Sequence, residues 1–188
     1  PLMSSWDSHH IRVSVKVHRS IQAANVLEDQ LGWRVAMPTS EELQAATEAG
    51  LHPQGSEGEQ PFCLLPFSYP VRRDDKRVSG PLWTGALFDQ EVLASMTVER
   101  AMSLCGEEAE TAVRHWVGEA ELAAVPSLII TDMLPKFCDV NGPPKILDLV
   151  TGLKDAGYKA AVARWGAPAI RTDAPWSEVL KITEDCFD

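Results

Sequence analysis

Residues 78–93 read VSGPLWTGALFDQEVL, with Gly80, Pro81 and Gly85 set among Leu82, Trp83 and Leu87. Proline fixes the backbone and glycine frees it, so this stretch has to hold one particular shape. The run then turns into an amphipathic helix, and Asp89 stands where a side chain can accept from the first free helical N–H groups. The charged turn VRRDDKRVSG lies just before it and an acidic-faced helix just after. Trp83, between Pro81 and Gly85, is read as a packing anchor, which leaves any ligand contact to the neighbouring arginines.

A chain of 188 residues makes one large domain or two small ones and can bury a real core. Its 45% apolar and 23% charged residues are those of an ordinary globular protein. No apolar run is long enough to span a bilayer, so no membrane association is expected. No basic segment followed by an apolar one opens the chain, so a cytoplasmic or, in a eukaryote, organellar setting is expected rather than secretion. The opening at Pro1, with Met3 inside, reads as a fragment of a longer protein. Cys63, Cys105, Cys138 and Cys186 are too far apart in sequence for a zinc knuckle or a redox pair. Reduced, mostly buried thiols and no metal are expected.

Short elements follow one another along the chain. IRVSVKV at 11–17 alternates Ile11, Val13, Val15 and Val17 with Arg12, Ser14 and Lys16, the pattern of a half-buried strand. Ile21, Ala24, Leu27 and Leu31 share helical spacing over 19–31, and Gly32 is placed to end that helix. WRVAM is a short strand, and Thr39 with Glu42 forms a capping box for a short acidic helix. Residues 50–61, GLHPQGSEGEQP, have the composition of a linker. FCLLPF is apolar, and helices are expected over 89–105 and 107–124. In the last third, Thr131 is placed to cap a short helix reaching Phe137. Pro143 and Pro144 suit the first turn of a second, whose apolar positions are Ile146, Leu147, Leu149 or Val150, and Leu153. YKAAVARW and AIRT then read as two strands about a turn, and Pro175 starts a terminal helix. Helix, turn, helix, strand, wing, strand is the order of a winged helix, here spanning 128–174.

The net charge of −10 argues against a free-standing nucleic-acid binder, because phosphate neutralisation needs clustered bases. The charge is uneven, however. Residues 36–60 carry five acids and no base, whereas 61–88 carry four bases and two acids and 143–173 carry five bases and three acids. Arg72, Arg73, Lys76 and Arg77 form the first basic cluster. Lys145, Lys154, Lys159, Arg164 and Arg171 form the second, with Trp165 placed either to stack on a base or to plug the core. His9 and His10 are adjacent and face opposite sides of a strand, and His18, His52 and His115 lack ligand-spaced neighbours. No nucleophile elbow, phosphate loop or dinucleotide fingerprint is present, so the residues alone give no complete active site.

Three blocks nevertheless resemble one family, the tRNA (guanine-26-N2) dimethyltransferases. GPLWTGALFDQEVLASM is similar to a family signature of the form GPLW-x-G-x-L followed by a helix. LKDAGYKAAVARWGAPAIRTDAPWSEV resembles a block in which a helix ending in AGY leads through a wing to a K/R-T-[DN]-AP motif. PLMSSWDSHHIRVSVKV is similar to a segment that closes the family's methyltransferase domain. The chain departs from the pattern in two places. The Cys-x-x-Cys knuckle of many relatives is missing from 36–61, and a basic-aromatic wing motif is reduced to Ala161, Val162, Ala163, Arg164 and Trp165.

The resemblance implies an α/β (α+β) chain from the C-terminal part of such an enzyme. Residues 1–35 would end the class I methyltransferase domain, 36–61 would be an acidic helix and linker, and 62–188 a tRNA-binding domain with the winged-helix-like segment. S-adenosylmethionine would bind upstream of this chain, which alone would be inactive. The implied partners are tRNA and the N-terminal methyltransferase domain of the same protein. Arg72, Arg73, Lys76, Arg77, Lys145, Lys159, Arg164, Trp165 and Arg171 are the candidate RNA contacts. The alternative is a winged-helix domain that docks another protein, in which the bases are incidental.

Overall fold

A computed structural model of the chain describes residues 1–7, 9–52, 60–163 and 167–187, a mixture of helices and antiparallel strands. They gather into two compact units, one of Pro1–Lys16, Ala86–Ala174 and Glu178–Asp188, the other of Val17–Gly85 and Pro175–Ser177. The expected boundaries at 35/36 and 61/62 both fall inside the second unit. No helix among the described residues is long and apolar enough to cross a membrane.

The chain opens with a hairpin of β1 (Met3–Asp7) and β2 (His10–Ser14), with Ser4 opposite Val13. The expected half-buried strand is not found. Ile11, Val13, Val15 and Val17 are 72%, 54%, 56% and 86% exposed. The expected helix over 19–31 shrinks to α1 (Ile21–Asn25), capped by the Ser20 hydroxyl, and a 3-10 turn at Leu27–Gln30. Its periodic residues Ile21 and Leu27 stay exposed.

Gly32 does not stop a helix; it lies within β3 (Leu31–Ala36). After α2 (Ser40–Glu48), β4 (Phe62–Pro66) and β5 (Val78–Trp83) pair antiparallel on either side of β3. The capping box is present as expected: Glu42 N–H donates to the Thr39 hydroxyl and Thr39 N–H to the Glu42 carboxylate. Trp33, Val35, Cys63 and Leu65 alternate onto one sheet face and pack with Ala46 of α2, forming the core of this unit. A side chain at Gly32 would overlap the Leu65 carbonyl, so the strands approach this closely only with glycine there. Gly80 gives residues 78–83 their shape. Its φ of 137° lies in a region closed to side chains, and the Gly80–Pro81 bond is cis. The rigid turn is thus an irregular edge strand, where a proline removes no inner-sheet hydrogen bond. Trp83, half-buried in β5 opposite Leu31, belongs to this sheet.

In the first unit the expected helix over 89–105 is two helices. Asp89 caps α3 (Gln90–Ala94) as expected, and Thr97 then caps α4 (Val98–Cys105), restarting the helix. Next comes α5 (Glu108–Gly118), and Phe88, Leu93 and Ala123 form a core with Met3 and Trp116. The last third runs β6 (Ile129–Ile130), a 3-10 turn over Thr131–Lys136, α6 (Ile146–Asp155), β7 (Ala160–Val162), β8 (Ala169–Thr172) and α7 (Trp176–Asp185). The sheet order is β6-β8-β7. Thr131 is not a cap; its buried hydroxyl donates to the Pro168 carbonyl. In α6, Leu149, Val150 and Leu153 are buried, but Leu147, expected in the core, is 67% exposed. Helices α6 and α7 meet closely at Gly152, where an added Cβ would lie 2.7 Å from Ile182. Of the four cysteines, all free, only Cys63 is buried.

Candidate nucleic-acid interface

The basic cluster of the second unit sits on the β4–β5 connection, which two backbone bonds fold into consecutive turns. Asp75 N–H donates to the Arg72 carbonyl at 3.1 Å and Val78 N–H to the Asp75 carbonyl at 3.0 Å. The folding fixes which bases face water. Arg73 and Lys76 are exposed and carry no ion pair among the described residues. Arg72 is exposed as well, and its guanidinium grips Asp74 at 2.8 and 3.3 Å. A pair this exposed is worth little, so Arg72 can exchange Asp74 for another anion at small cost.

Arg77 differs from its neighbours. Its two terminal nitrogens donate to both oxygens of Glu42 at 3.1 and 3.2 Å, to Asp75 at 2.8 Å and to the Met37 carbonyl at 3.2 Å. Hydrogen bonds that it donates to Glu42 first, then to Asp75, raise its pKa further, so it is charged at any working pH. Burial alone would raise the Glu42 carboxyl, but the bonds from Arg77 and Thr39 outweigh it and hold the carboxyl below its ordinary range. Met37, whose φ is +46°, is held in that conformation by the Arg77 bond and by its own N–H bond to Pro61. Arg77 therefore braces α2 against the loop, a structural task that stands beside the expectation that it reaches RNA.

The other basic cluster belongs to the first unit. Lys145 stands at the N-terminus of α6, Lys154 in its last turn and Lys159 just before β7, all exposed. The backbone of Lys159 is clamped: its N–H donates to Asp173 at 2.8 Å and its carbonyl accepts from the Thr172 hydroxyl at 2.7 Å. The outer face of α6 is mixed, with Leu147, Asp148, Thr151 and Asp155 beside the lysines. A groove of about 550 Å³ between α6 and α7 is lined by Asp148, Asp155, Glu178 and Asp185 against Lys181 alone. Acids so placed repel phosphate and disqualify that side of α6 as a backbone track.

Arg171 is engaged more fully still. It is 5% exposed, and its Nε donates to Glu119 at 2.9 Å while its NH1 donates to the Val125 and Ser127 carbonyls. A guanidinium enclosed in this way holds the chain before β6 to β8. Arg164 and Trp165 lie outside the described residues. Reading the sequence missed the carboxylates that commit Arg77 and Arg171. Glu42 reads only as a cap, and Glu119, 52 residues from Arg171, gives no local signal. It also missed Arg34, whose guanidinium lies 4.6 Å above the Phe62 ring.

Comparisons with known proteins agree with the resemblance at the level of family. The family model described as N2,N2-dimethylguanosine tRNA methyltransferase matches residues 1–184. A tRNA (guanine(26)-N(2))-dimethyltransferase of Aeropyrum pernix is 30% identical over 185 residues, covering 96% of this chain and 42% of that protein. One of Methanoregula boonei is 25% identical over 191 residues, covering 93% and 43%. The solved structure of Trm1 from Pyrococcus horikoshii with S-adenosyl-L-methionine superposes with a TM-score of 0.66 at 18% identity, over 96% of this chain and 42% of that one, a likeness of fold. The chain thus spans less than half the length of the relatives it matches. These findings correct the expectation of a C-terminal fragment without the cofactor site, and with it the placing of S-adenosylmethionine upstream. The family match takes in residues 1–184, and the solved chain that covers 96% of this one is that of a cofactor complex.

Proposed function

The chain belongs to the N2,N2-dimethylguanosine tRNA methyltransferase family, and on that premise we propose that the full-length protein methylates the exocyclic N2 of a tRNA guanosine, this chain supplying part of the grip on the tRNA. S-adenosylmethionine, when bound, supplies an electrophilic methyl: the N2 lone pair forms the N–C bond, the S–C bond breaks and the nitrogen loses a proton.

The target amine is a weak nucleophile held in a stack or pair, so the base has to be distorted or flipped and then aimed. That demands purchase on the tRNA body away from the base. The observation carrying the proposal is the β4–β5 loop, where Arg73 and Lys76 stand exposed without an ion pair and Arg72 can trade Asp74 for phosphate. Lys145 and Lys159 are secondary contacts in the first unit. The segment 128–174 is read as winged-helix-like; its support is the order of a 3-10 turn, α6, β7 and β8, with β8 central. A second reading, protein docking through α6, draws on Leu147, 67% exposed between Lys145 and Asp148.

Binding of tRNA by the full-length protein across a salt series separates the two. Arg73→Gln with Lys76→Gln should weaken binding and lower the slope of log affinity against log salt by about 2. An unchanged slope would favour protein docking.

A further inference from the structure

We infer that Arg34, held over Phe62 on the outer face of the β4-β3-β5 sheet, grips a phosphate of the bound tRNA beside the β4–β5 loop. The inference rests on the role proposed for that loop and extends it to a residue outside both basic clusters. The two faces of the sheet are unlike. Trp33, Val35, Cys63 and Leu65 point to the core, where Leu43 of α2 and Phe67, Tyr69 and Val71 of the β4–β5 connection pack on them. Arg34 and Phe62 alternate with those residues and therefore point to the other face. Val78 packs on the core, so Ser79, the residue directly opposite Arg34, shares the outer face with it. Leu64 on this face is closed off, whereas Arg34 and Phe62 are half-buried and Ser79 is exposed.

The Arg34 guanidinium carbon lies 4.6 Å from the centroid of the Phe62 ring. Stacking of this kind fixes the plane of a guanidinium and leaves its edge free to donate. Among the described residues no carboxylate pairs with it, in contrast to Arg77 and Arg171. A half-buried cation without a counter-ion attracts an anion, and its planar fork matches two oxygens of a phosphate. The neighbouring strand leaves room for one. The pairing of β3 with β5 shifts register between Gly32 and Arg34, and Ser79, Gly80 and Pro81 are all exposed there. Such irregularities open a strand beside a side chain that has to reach outward. The Ser79 hydroxyl offers a further donor on the same face. Ser79 follows Lys76 by three residues, so the site continues the loop that exposes Arg73 and Lys76. Asp75, the acid closest to β5 along the chain, is already held by Arg77. The guanidinium also occupies the ring face on which a base would otherwise stack, which makes phosphate the contact.

Binding of tRNA by the full-length protein across a salt series tests this, with the fold of each variant checked by urea unfolding. Arg34→Met should weaken binding at least about fivefold and lower the slope of log affinity against log salt by about 1. Arg34→Lys keeps the charge and loses the fork, so it should keep the slope and still bind more weakly than the parent. Parental affinity in either variant would overturn the inference, and the Lys variant decides it where Arg34→Met does not fold. Weaker binding at an unchanged slope in Arg34→Met would overturn it in favour of contact with a base. The loop is read separately. If Arg73→Gln with Lys76→Gln lowers the slope while Arg34→Met does not, the loop reading stands and this one falls. Absence of tRNA binding by the parent would overturn both.

Discussion

Arg171 and Arg73 are the same residue type, yet the fold gives them opposite tasks. Arg171 is closed off by Glu119 and two carbonyls, with both side chains of the ion pair under a tenth exposed. Removing one partner of a buried pair costs about 3–5 kcal/mol, whereas replacing both with apolar groups is often neutral. Arg171→Met should therefore destabilise the protein to urea by about 3–5 kcal/mol, and adding Glu119→Leu should recover most of that loss. A single substitution that left the urea midpoint in place would show that the pair is not structural. The sequence distinguishes these arginines poorly. Arg73 lies in a visibly charged turn, but Arg171 shows its burial only through Glu119, a partner 52 residues away that local pattern cannot supply.

At the scale of elements, the parts legible in the sequence are those whose cause is local. The Thr39–Glu42 box and the Asp89 cap each need only four consecutive residues, and both form as expected. The parts that were not legible depend on what lies alongside. Helical spacing at Ile21 and Leu27 finds no surface to bury against, and α1 ends after five residues. Thr97, in the middle of a periodic run, offers a cap strong enough to break it. Gly32, placed like a helix stop, is in fact the point where β3 lies against β4. An added methyl there would overlap the Leu65 carbonyl and come within 2.8 Å of the Thr84 methyl. Gly32→Ala should cost about 1–3 kcal/mol, as overpacking does in well-filled cores. It should loosen amide protection along Val35 and Leu65. Protection unchanged from the parent would mean that the strands part without penalty.

For the whole molecule, a net charge of −10 and the proposed tRNA substrate are compatible because charge is distributed by segment. Many of the acids occupy α2, α3 to α5 and the groove between α6 and α7, while the β4–β5 loop exposes Arg72, Arg73 and Lys76. Part of that division was visible along the sequence. Which bases remain available was not, since Arg77 and Arg171 are withdrawn by carboxylates that folding brings to them. On the proposed function, the loop would be this chain's part in holding the tRNA.

Nucleoside mass spectrometry of tRNA after incubation with the full-length protein and S-adenosylmethionine tests this account most directly. N2-methylated guanosine should accumulate, and Arg73→Gln with Lys76→Gln should raise the tRNA concentration needed for half-maximal rate several-fold. Methylation at any other atom, or a tRNA dependence untouched by the double substitution, would contradict it.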